Sequence, residues 1–387
     1  MRKIISIIAF FLIGISTGWG QEEEPPKLTV GGYVKDLQTV FIFNAKSTLG
    51  DIFIYDQNQI HNRINVQWQI APSLLFKVDF RNRLFWGDLS TTDMLKGLDT
   101  ANDYFDLSIG KSNDKGLAYH AMIDRLYLEW IKGKWEVRLG RQRINWGIST
   151  VWNPNDVFNA FSFTDFDYEE RPGSDALRVR YYTGYASSIE VAAKMADSLE
   201  AAVIAGMGHF NAGGYDFQVL GGLVKNELAL GGGWAGNIKS AGFKGELTFF
   251  QPLKKSEKSS FAGTIGVDYM TGKSLYLNGG FLFNSNGITS GSIASLFDFQ
   301  LSAKNLYPYK YSLFLQGGYP ITPLLNSGLA LIYSPSKVHA IFLNPTISYS
   351  IAQNWDFDLV GQLAFEKEGK KYRSPIQGLF MRVKLSY

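Results

Sequence analysis

The chain contains no cysteine among its 387 residues. This absence excludes a disulfide-stapled fold, a thiolate zinc site, a cysteine nucleophile and a lipid-modified N-terminal cysteine. Charged residues are also scarce: they make up 19% of the chain, below the roughly 25% that is usual in soluble domains. The formal charge of +3 provides no basic footprint for nucleic acid. We therefore expect no nucleic-acid partner.

Beyond its N-terminus, the chain also lacks any apolar run of the roughly 20 residues that cross a bilayer as a helix. Arg2 and Lys3 precede the uncharged apolar stretch Ile4–Ile15, and small residues follow before Gln21. A short basic region, a short apolar region and small residues form the pattern of a cleaved signal peptide. We therefore expect residues 1–20 to be removed and the mature chain to be exported.

The hydrophobic residues of the chain recur with a period of two. Apolar and polar residues alternate over Arg63–Ile70 and again over Phe76–Arg83, and the last strand alternates up to Tyr387. Successive residues of a strand point to opposite faces, so each segment has one apolar and one polar face. Helical periodicity is confined to Ala192–Met207 and Ile293–Leu306. The pattern predicts an all-β fold.

The spacing of the candidate strands favours a closed barrel. They begin near Leu28, Arg63, Leu74, Ile123, Trp135, Ala176, Ser187, Ala201, Gly214, Glu227, Ala241, Ser260, Ser274, Tyr311, Leu324, Val338, Trp355 and Gln377. Tight turns alternate with longer polar connections, such as Asp51–Asn62 and Asn145–Ser174. Short turns at one rim and long loops at the other are typical of an outer-membrane barrel, with the short side periplasmic. We predict a transmembrane antiparallel β-barrel of about 18 strands, or 16 if the weaker strands near Ala201 and Glu227 merge.

Tryptophan placement separates this barrel from a soluble β-sandwich. Five tryptophans lie close to predicted tight turns and in phase with the apolar face: Trp68, Trp130, Trp135, Trp234 and Trp355. Aromatic girdles at a membrane interface need both properties. The predicted organisation is a signal peptide over residues 1–20, a short acidic periplasmic leader over 21–27 and a barrel over 28–387, in contact with the lipid of the outer membrane of a Gram-negative bacterium.

One segment resembles a known group of proteins. The run from Gly140 to Gly147 (GRQRINWG), the element Asn153–Asp156 (NPND) and Arg171–Gly173 (RPG) resemble uncharacterised porin-type barrels that are related to alginate-export channels. The resemblance implies passive transport of small polar solutes. The C-terminal strand, which ends in the aromatic residue Tyr387, is similar to the signal read by the barrel-assembly machinery and implies that partner.

The inward face is predicted to carry one basic arc. Phased opposite the apolar faces, ten cations would line the pore: Arg63, Lys77, Arg81, Arg83, Arg125, Arg138, Arg178, Arg180, Arg382 and Lys384. They belong to neighbouring strands, and fewer acids share their phase, namely Asp79, Glu129 and Glu136. We therefore expect a weak preference for anionic solutes. The alternative is that cross-strand acids neutralise each cation. Arg141 falls in the outward phase unless Gly140 marks a bulge.

Other functions remain open at this point. A barrel enzyme would need a histidine beside a nucleophile or water, and His61 and His120 near the long-loop rim are the candidates, although no motif accompanies them. An apolar lumen would indicate a channel for hydrophobic substrates, and long loops could serve adhesion or binding. Asn145–Ser174, which is rich in aromatic residues, either folds into the pore or packs on neighbouring loops. We expect no cofactor and no enzymatic activity.

Overall fold

The computed structural model describes most of the predicted barrel. The predicted signal peptide and nearly all of the acidic leader lie outside the described residues, as does part of the first long loop. The described residues are 27–44, 52–99, 102–113, 116–165, 167, 171–297 and 299–387.

The strands pair antiparallel with their neighbours into one closed sheet. They are β1 (Leu28–Asn44), β2 (Ile52–Ala71), β3 (Leu74–Trp86), β4 (Ser108–Asn113), β5 (Leu117–Lys132), β6 (Trp135–Gln142), β7 (Ser174–Gly184), β8 (Ser187–Lys194), β9 (Val203–Ala212), β10 (Tyr215–Val224), β11 (Glu227–Ile238), β12 (Ala241–Pro252), β13 (Ser260–Met270), β14 (Tyr276–Asn284), β15 (Tyr311–Pro320), β16 (Leu325–Ser334), β17 (Ala340–Ala352), β18 (Trp355–Glu368) and β19 (Lys371–Ser386).

The sheet closes because β1 pairs with both β2 and β19. The short strand β4 lies outside this ring, since it pairs only with the upper half of β5, beyond the end of β6. The ring therefore has 18 strands, as predicted. The alternative of 16 is wrong, because β9 and β11 each form complete ladders with both neighbours.

Helix is almost absent from the described chain. The helical alternative for Ala192–Met207 is wrong, since this stretch holds the end of β8 and the start of β9. Within Ile293–Leu306 only Ile293–Phe297 forms a turn of 3₁₀ helix. One short helix, α1 (Thr92–Asp99), was not predicted. Among the described residues, no helix is long and apolar enough to cross a membrane.

Strand β2 is much longer than its alternation predicts. It begins at Ile52 rather than near Arg63, and its ladder with β1 extends to the pair Asn44–Ile52. Most of the predicted loop Asp51–Asn62 is therefore strand. The first four residues of β2, Ile52–Tyr55, are apolar on both faces and the next four, Asp56–Gln59, are polar on both faces. The alternation of apolar and polar residues that reveals a membrane-type strand is therefore missing there.

The two rims differ as predicted. At one rim, turns of a few residues join neighbouring strands, for example at Gly133 and at Asn354, which adopt positive φ of 59° and 66°. Such left-handed residues are what two-residue hairpins require. At the other rim lie the long connections, including residues 87–107, 143–173 and 285–310. The outer face is apolar, and four of the five tryptophans near the short turns are well exposed on it: Trp68, Trp130, Trp135 and Trp355.

Candidate functional site

The long connection between β6 and β7, residues 143–173, folds into the barrel. We call it the lumen loop. Its residues include Trp146 and Trp152, each only 2% exposed, and Asn155 and Asp156, which are fully buried. A loop that packed on neighbouring surface loops would leave side chains of this size partly solvated. The lumen loop is therefore enclosed by the barrel wall.

One side of the lumen loop is held by β12. The carboxylate of Glu246 accepts the backbone N–H of Ser149 at 2.6 Å and that of Asn155 at 3.0 Å, and it also accepts the N–H of Ile148. Thr248, two residues along the strand, donates its hydroxyl to the carbonyl of Pro154 at 2.9 Å. Because one buried side chain satisfies three backbone N–H groups, Glu246 anchors the lumen loop on this side.

The other side is held at the seam where the barrel closes. The side chain of Asp167 accepts hydrogen bonds from Lys35 on β1 at 2.7 Å, from Gln59 on β2 at 2.9 Å and from Arg382 on β19 at 3.3 Å. Glu246 lies on β12, whereas the residues that bind Asp167 lie on β1, β2 and β19. Because these strands are distant from one another around the ring, a loop held by both has to cross the lumen.

Apolar packing fixes the crossing. The ring of Trp152 meets those of Phe314 on β15 and Tyr307 at 6.1 and 6.0 Å, and the ring of Trp146 meets that of Phe158 at 5.0 Å. Other members of these clusters lie on the inner wall, for example Leu282, Ile332, Phe342, Ala205 and Phe250, or in the connection 285–310, for example Ile293 and Leu306. Burying one large side chain contributes roughly 1.5–3 kcal/mol. The apolar part of the inner wall is therefore covered by the lumen loop together with the connection 285–310.

The ten predicted pore-lining cations lie on the remaining part of the inner wall. Their strands, β19, β2, β3, β5, β6 and β7, are neighbours around the ring apart from β1 between β19 and β2. Five are buried: Arg63, Arg81, Arg83, Arg125 and Arg178. The other five are partly exposed: Lys77, Arg138, Arg180, Arg382 and Lys384. We call this sector the basic wall.

Acids face many of these cations. Arg63 contacts the carboxylate of Asp79 at 3.0 Å and also that of Asp124, and Asp124 contacts Arg81 at 3.1 Å. The alternation of apolar and polar residues in the sequence did not place Asp124 on the inner face. The β3–β5 ladder is irregular between Asp79 and Phe80, so a bulge buries Asp124 together with its neighbour Arg125.

Three further acids of the basic wall were not predicted. Glu190 on β8 pairs with Arg180, Asp358 on β18 pairs with Arg382 at 2.8 Å, and Asp167 comes from the lumen loop. Of the acids that were predicted, Glu129 pairs with Arg138 and Glu136 with Arg178. The basic wall is thus largely paired, although its cations still outnumber these acids.

Arg141 does not join the basic wall. Gly140 adopts a positive φ of 119°, but the ladders on both sides of β6 keep their register, so no bulge turns the strand over. The guanidinium of Arg141 instead grips Asp175 at 2.9 and 2.7 Å and the side chain of Asn102 at 3.2 Å. Arg141 thereby joins the connection that precedes β4, through Asn102, to the ends of β6 and β7.

Open space remains between the lumen loop and the basic wall. A cavity of about 380 Å³ is lined by Arg81, Arg83 and Arg171 and by loop residues that include Phe161 and Asp165. A second of about 320 Å³ lies nearer the short turns, beside Arg180 and Tyr182, and a third of about 240 Å³ lies beside Asp358, Arg382 and Lys384. These three spaces lie along the charged sector of the wall, and another of about 320 Å³ lies on the other side of the lumen loop, beside Val224, Glu227 and Phe250.

Two ionisable residues of the lumen loop are perturbed by their enclosure. Burial raises the pKa of Asp156 to about 7, although the positive charge of Arg143 opposes the shift. Burial and the neighbouring Arg143 lower the pKa of Arg171 to about 10. Asp156 therefore changes charge near neutral pH within the loop that narrows the lumen.

The two candidate histidines are buried in the wall. His61 pairs across the sheet with Arg83, and Arg83 pairs with His120 on its other side. The Nδ1 atom of His120 lies 3.0 Å from the guanidinium of Arg83. Arginine is not a nucleophile, so the contact that the structure gives His120 is not the one that a hydrolytic site needs.

Comparisons with known proteins support the fold. The chain matches no family model and no curated protein. Among solved structures, OccAB4 of Acinetobacter baumannii superposes with a TM-score of 0.58 and 9% identity, over 94% of this chain and 100% of that chain. OccK9 (OpdG) of Pseudomonas aeruginosa gives 0.58 and 10%, over 93% and 98%. OccK7 (OpdD) of the same organism gives 0.54 and 8%, over 92% and 99%. The chain thus shares the fold of these barrels along nearly its whole length.

Proposed function

We propose that the protein is an outer-membrane channel through which small polar solutes diffuse passively. The observation that carries this proposal is the course of the lumen loop: together with the connection 285–310 it covers the apolar inner wall, and it leaves cavities along the charged one. A path lined by charged groups can replace the hydration shell of a polar solute. The structural neighbours are outer-membrane porins, which agrees with this function and location.

The excess of cations on the basic wall supports a weak preference for anions. Ion pairs such as Arg382–Asp358 reduce the field of the wall, so the preference is expected to be smaller than ten unpaired cations would give. Exposed charges are screened over a Debye length of roughly 10 Å at 0.1 M salt. The preference should therefore weaken as salt rises.

The alternative of a hydrophobic-substrate channel is less well supported. Its best argument is the apolar inner face of β8 to β18, yet residues of this face, such as Phe314 and Phe250, lie in clusters with the lumen loop. The absence of enzymatic activity stays part of the proposal, as does recognition of the C-terminal strand by the barrel-assembly machinery. The relation of the Gly140–Gly173 motif to alginate-export channels is likewise a proposal.

Reconstitution in planar bilayers tests the function. Purified protein should give discrete conductance steps, and reversal potentials under a KCl gradient should show chloride favoured slightly over potassium. Steps with cation preference would contradict the anion proposal while leaving the channel intact. An insulating bilayer, with insertion shown by heat-modifiable mobility on a gel, would contradict the channel.

A further inference from the structure

A polar patch lies on the outer face of β1 to β3. It consists of Asp36 and Gln38 on β1, Asn62 on β2 and Asn82 on β3, and we call it the outer patch. All four alternate with exposed apolar residues of the outer face, for example Val34, Val40, Ile60 and Leu84. In the described residues of β8 to β17, by contrast, no outward position holds a charged side chain.

The outer patch lies at mid-height of the wall. Asn62 is six residues along β2 from Trp68, which belongs to the lower aromatic girdle. At about 3.3 Å per residue and a strand tilt of about 40°, this is roughly 15 Å above the girdle, within an apolar band of about 25 Å. Asn82 pairs directly with Asn62, and Asp36 lies two residues beyond Val34, which also pairs with Asn62. Lipid headgroups do not reach this depth.

The hydrogen bonds within the chain leave the outer patch incompletely satisfied. The carboxylate of Asp36 accepts one bond, from Gln38 at 2.7 Å, and no cation of the described chain forms an ion pair with it. The carbonyl oxygen of Asn82 accepts the hydroxyl of Tyr119 at 3.2 Å, while its amide N–H groups donate to no group in the described chain. A carboxylate and free amide donors in apolar surroundings are costly.

We propose that the outer patch is the contact surface for a second copy of this chain within the membrane. Two barrels inserted in the same direction can be related only by an axis parallel to the membrane normal. With that axis beside β2, β1 of one copy faces β3 of the other. Asp36 of each copy then meets Asn82 of its neighbour, and Asn62 meets its own equivalent.

The chemistry of the patch selects a copy of itself as partner. An ionised carboxylate accepts hydrogen bonds and an amide can both donate and accept, so carboxylate and amides complement one another across this axis. The outward positions of β8 to β17 offer Asp36 no cation, whereas the patch of a second copy offers it the amide N–H groups of Asn82. Contact of the patch with itself supplies the missing donor.

Cysteine cross-linking in lipid tests this proposal, which rests on the proposed membrane location. The chain has no cysteine of its own, so each introduced thiol is unique. Purified Asn62→Cys in liposomes at low protein-to-lipid ratio should form a disulfide-linked dimer after mild oxidation. A mixture of Asp36→Cys and Asn82→Cys proteins should form mixed dimers. The control Leu247→Cys, on the outer face of β12, should stay monomeric.

A second variant separates an interface from a lipid-facing wall. Asp36→Leu in the Asn62→Cys background should lower the yield of dimer several-fold while heat-modifiable mobility shows the barrel intact. Equal cross-linking of Asn62→Cys and Leu247→Cys, no cross-linking of either, or an unchanged yield with Asp36→Leu would overturn the interface. Failure of the protein to insert into liposomes would instead contradict the proposed location.

Discussion

Glu246 accepts the backbone N–H of Asn155 at 3.0 Å, across 91 positions of the sequence. The contact joins the wall of the barrel to the loop that crosses its lumen. Together with the bonds from Ile148 and Ser149, it makes one carboxylate responsible for much of the position of the lumen loop on that side. The width of the passage therefore depends on residues that neither line the basic wall nor lie on its strands.

Removal of this anchor should widen the passage. Glu246→Ala deletes the acceptor of three backbone amides, and each buried donor left without a partner costs about 1–3 kcal/mol. We expect larger and noisier single-channel conductance than in the parent protein, with Glu246→Gln intermediate. Single-channel recording in planar bilayers measures this change.

The matched control is Glu257→Gln in the exposed connection between β12 and β13. It removes the same charge without touching the lumen loop and should leave the conductance as it was. An unchanged conductance in Glu246→Ala would mean that the lumen loop does not limit the passage.

Charge removal on the basic wall should shift ion selectivity. Lys77 lies 3.7 Å from Asp79, which keeps its closer contact with Arg63, and Lys384 lies 5.7 Å from the ring centre of Tyr33. The double variant Lys77→Gln/Lys384→Gln should therefore fold and lose part of the preference for chloride. Reversal potentials under a KCl gradient should move towards potassium, most clearly at low salt.

Two lysines of an exposed loop provide the comparison. Lys254→Gln/Lys258→Gln changes the net charge equally, outside the lumen, and should move the reversal potential less. Equal shifts in the two double variants would show that the selectivity does not arise at the basic wall.

The lumen loop should be held more firmly in mild acid. The pKa of Asp156 is raised to about 7 from an ordinary value near 3.9 in an unfolded chain. Between about pH 4 and pH 7, the folded loop holds a proton that the unfolded loop has released, so its stability falls as pH rises. We expect quieter conductance at pH 5 than at pH 8 in the parent protein.

Asp156→Asn is the variant for this pH dependence. Its side chain is neutral at every pH, hence the conductance noise at pH 8 should be lower than in the parent protein and should depend less on pH. A parent protein whose noise does not change between pH 5 and pH 8 would contradict the assignment to Asp156.

The buried histidines should have no hydrolytic role. His61→Ala and His120→Ala are expected to give the same rates as the parent protein in lipase and peptidase assays, namely the background of empty detergent micelles. His120 contacts Arg83, and arginine is not a nucleophile. Hydrolysis by the parent protein that either substitution removes would revive the enzyme alternative.

The barrel could be predicted because the alternation of apolar and polar residues recurs in many strands. The alternation seen in Arg63–Ile70 and the tight turn at Gly133 depend only on residues that are close in sequence. Each strand therefore provides separate evidence for the fold. The additional length of β2 was not predicted because its upper part consists of an apolar run, Ile52–Tyr55, followed by a polar run, Asp56–Gln59, and does not alternate. The inward position of Asp124 was not predicted for a different reason. A bulge next to Asp124 interrupts the alternation of inward and outward residues, so the alternation does not show which face Asp124 occupies.

The course of the lumen loop could not be read from its own residues. The aromatic residues of Asn145–Ser174 indicated only that the segment packs against other parts of the protein. These aromatic residues pack in clusters with Phe314 and Phe250 of the wall, and the loop is held by hydrogen bonds to Glu246 and Lys35. All four residues are remote from the loop in sequence. Which wall an aromatic loop meets is set by closure of the ring, which no local pattern encodes.

The most direct measurement of the central claim is the conductance of the parent protein in planar bilayers. The account predicts discrete open steps that rise with salt, that enlarge in Glu246→Ala and that pass chloride slightly better than potassium. Protein that inserts as a heat-modifiable barrel and yet gives no steps, in both the parent protein and Glu246→Ala, would contradict it.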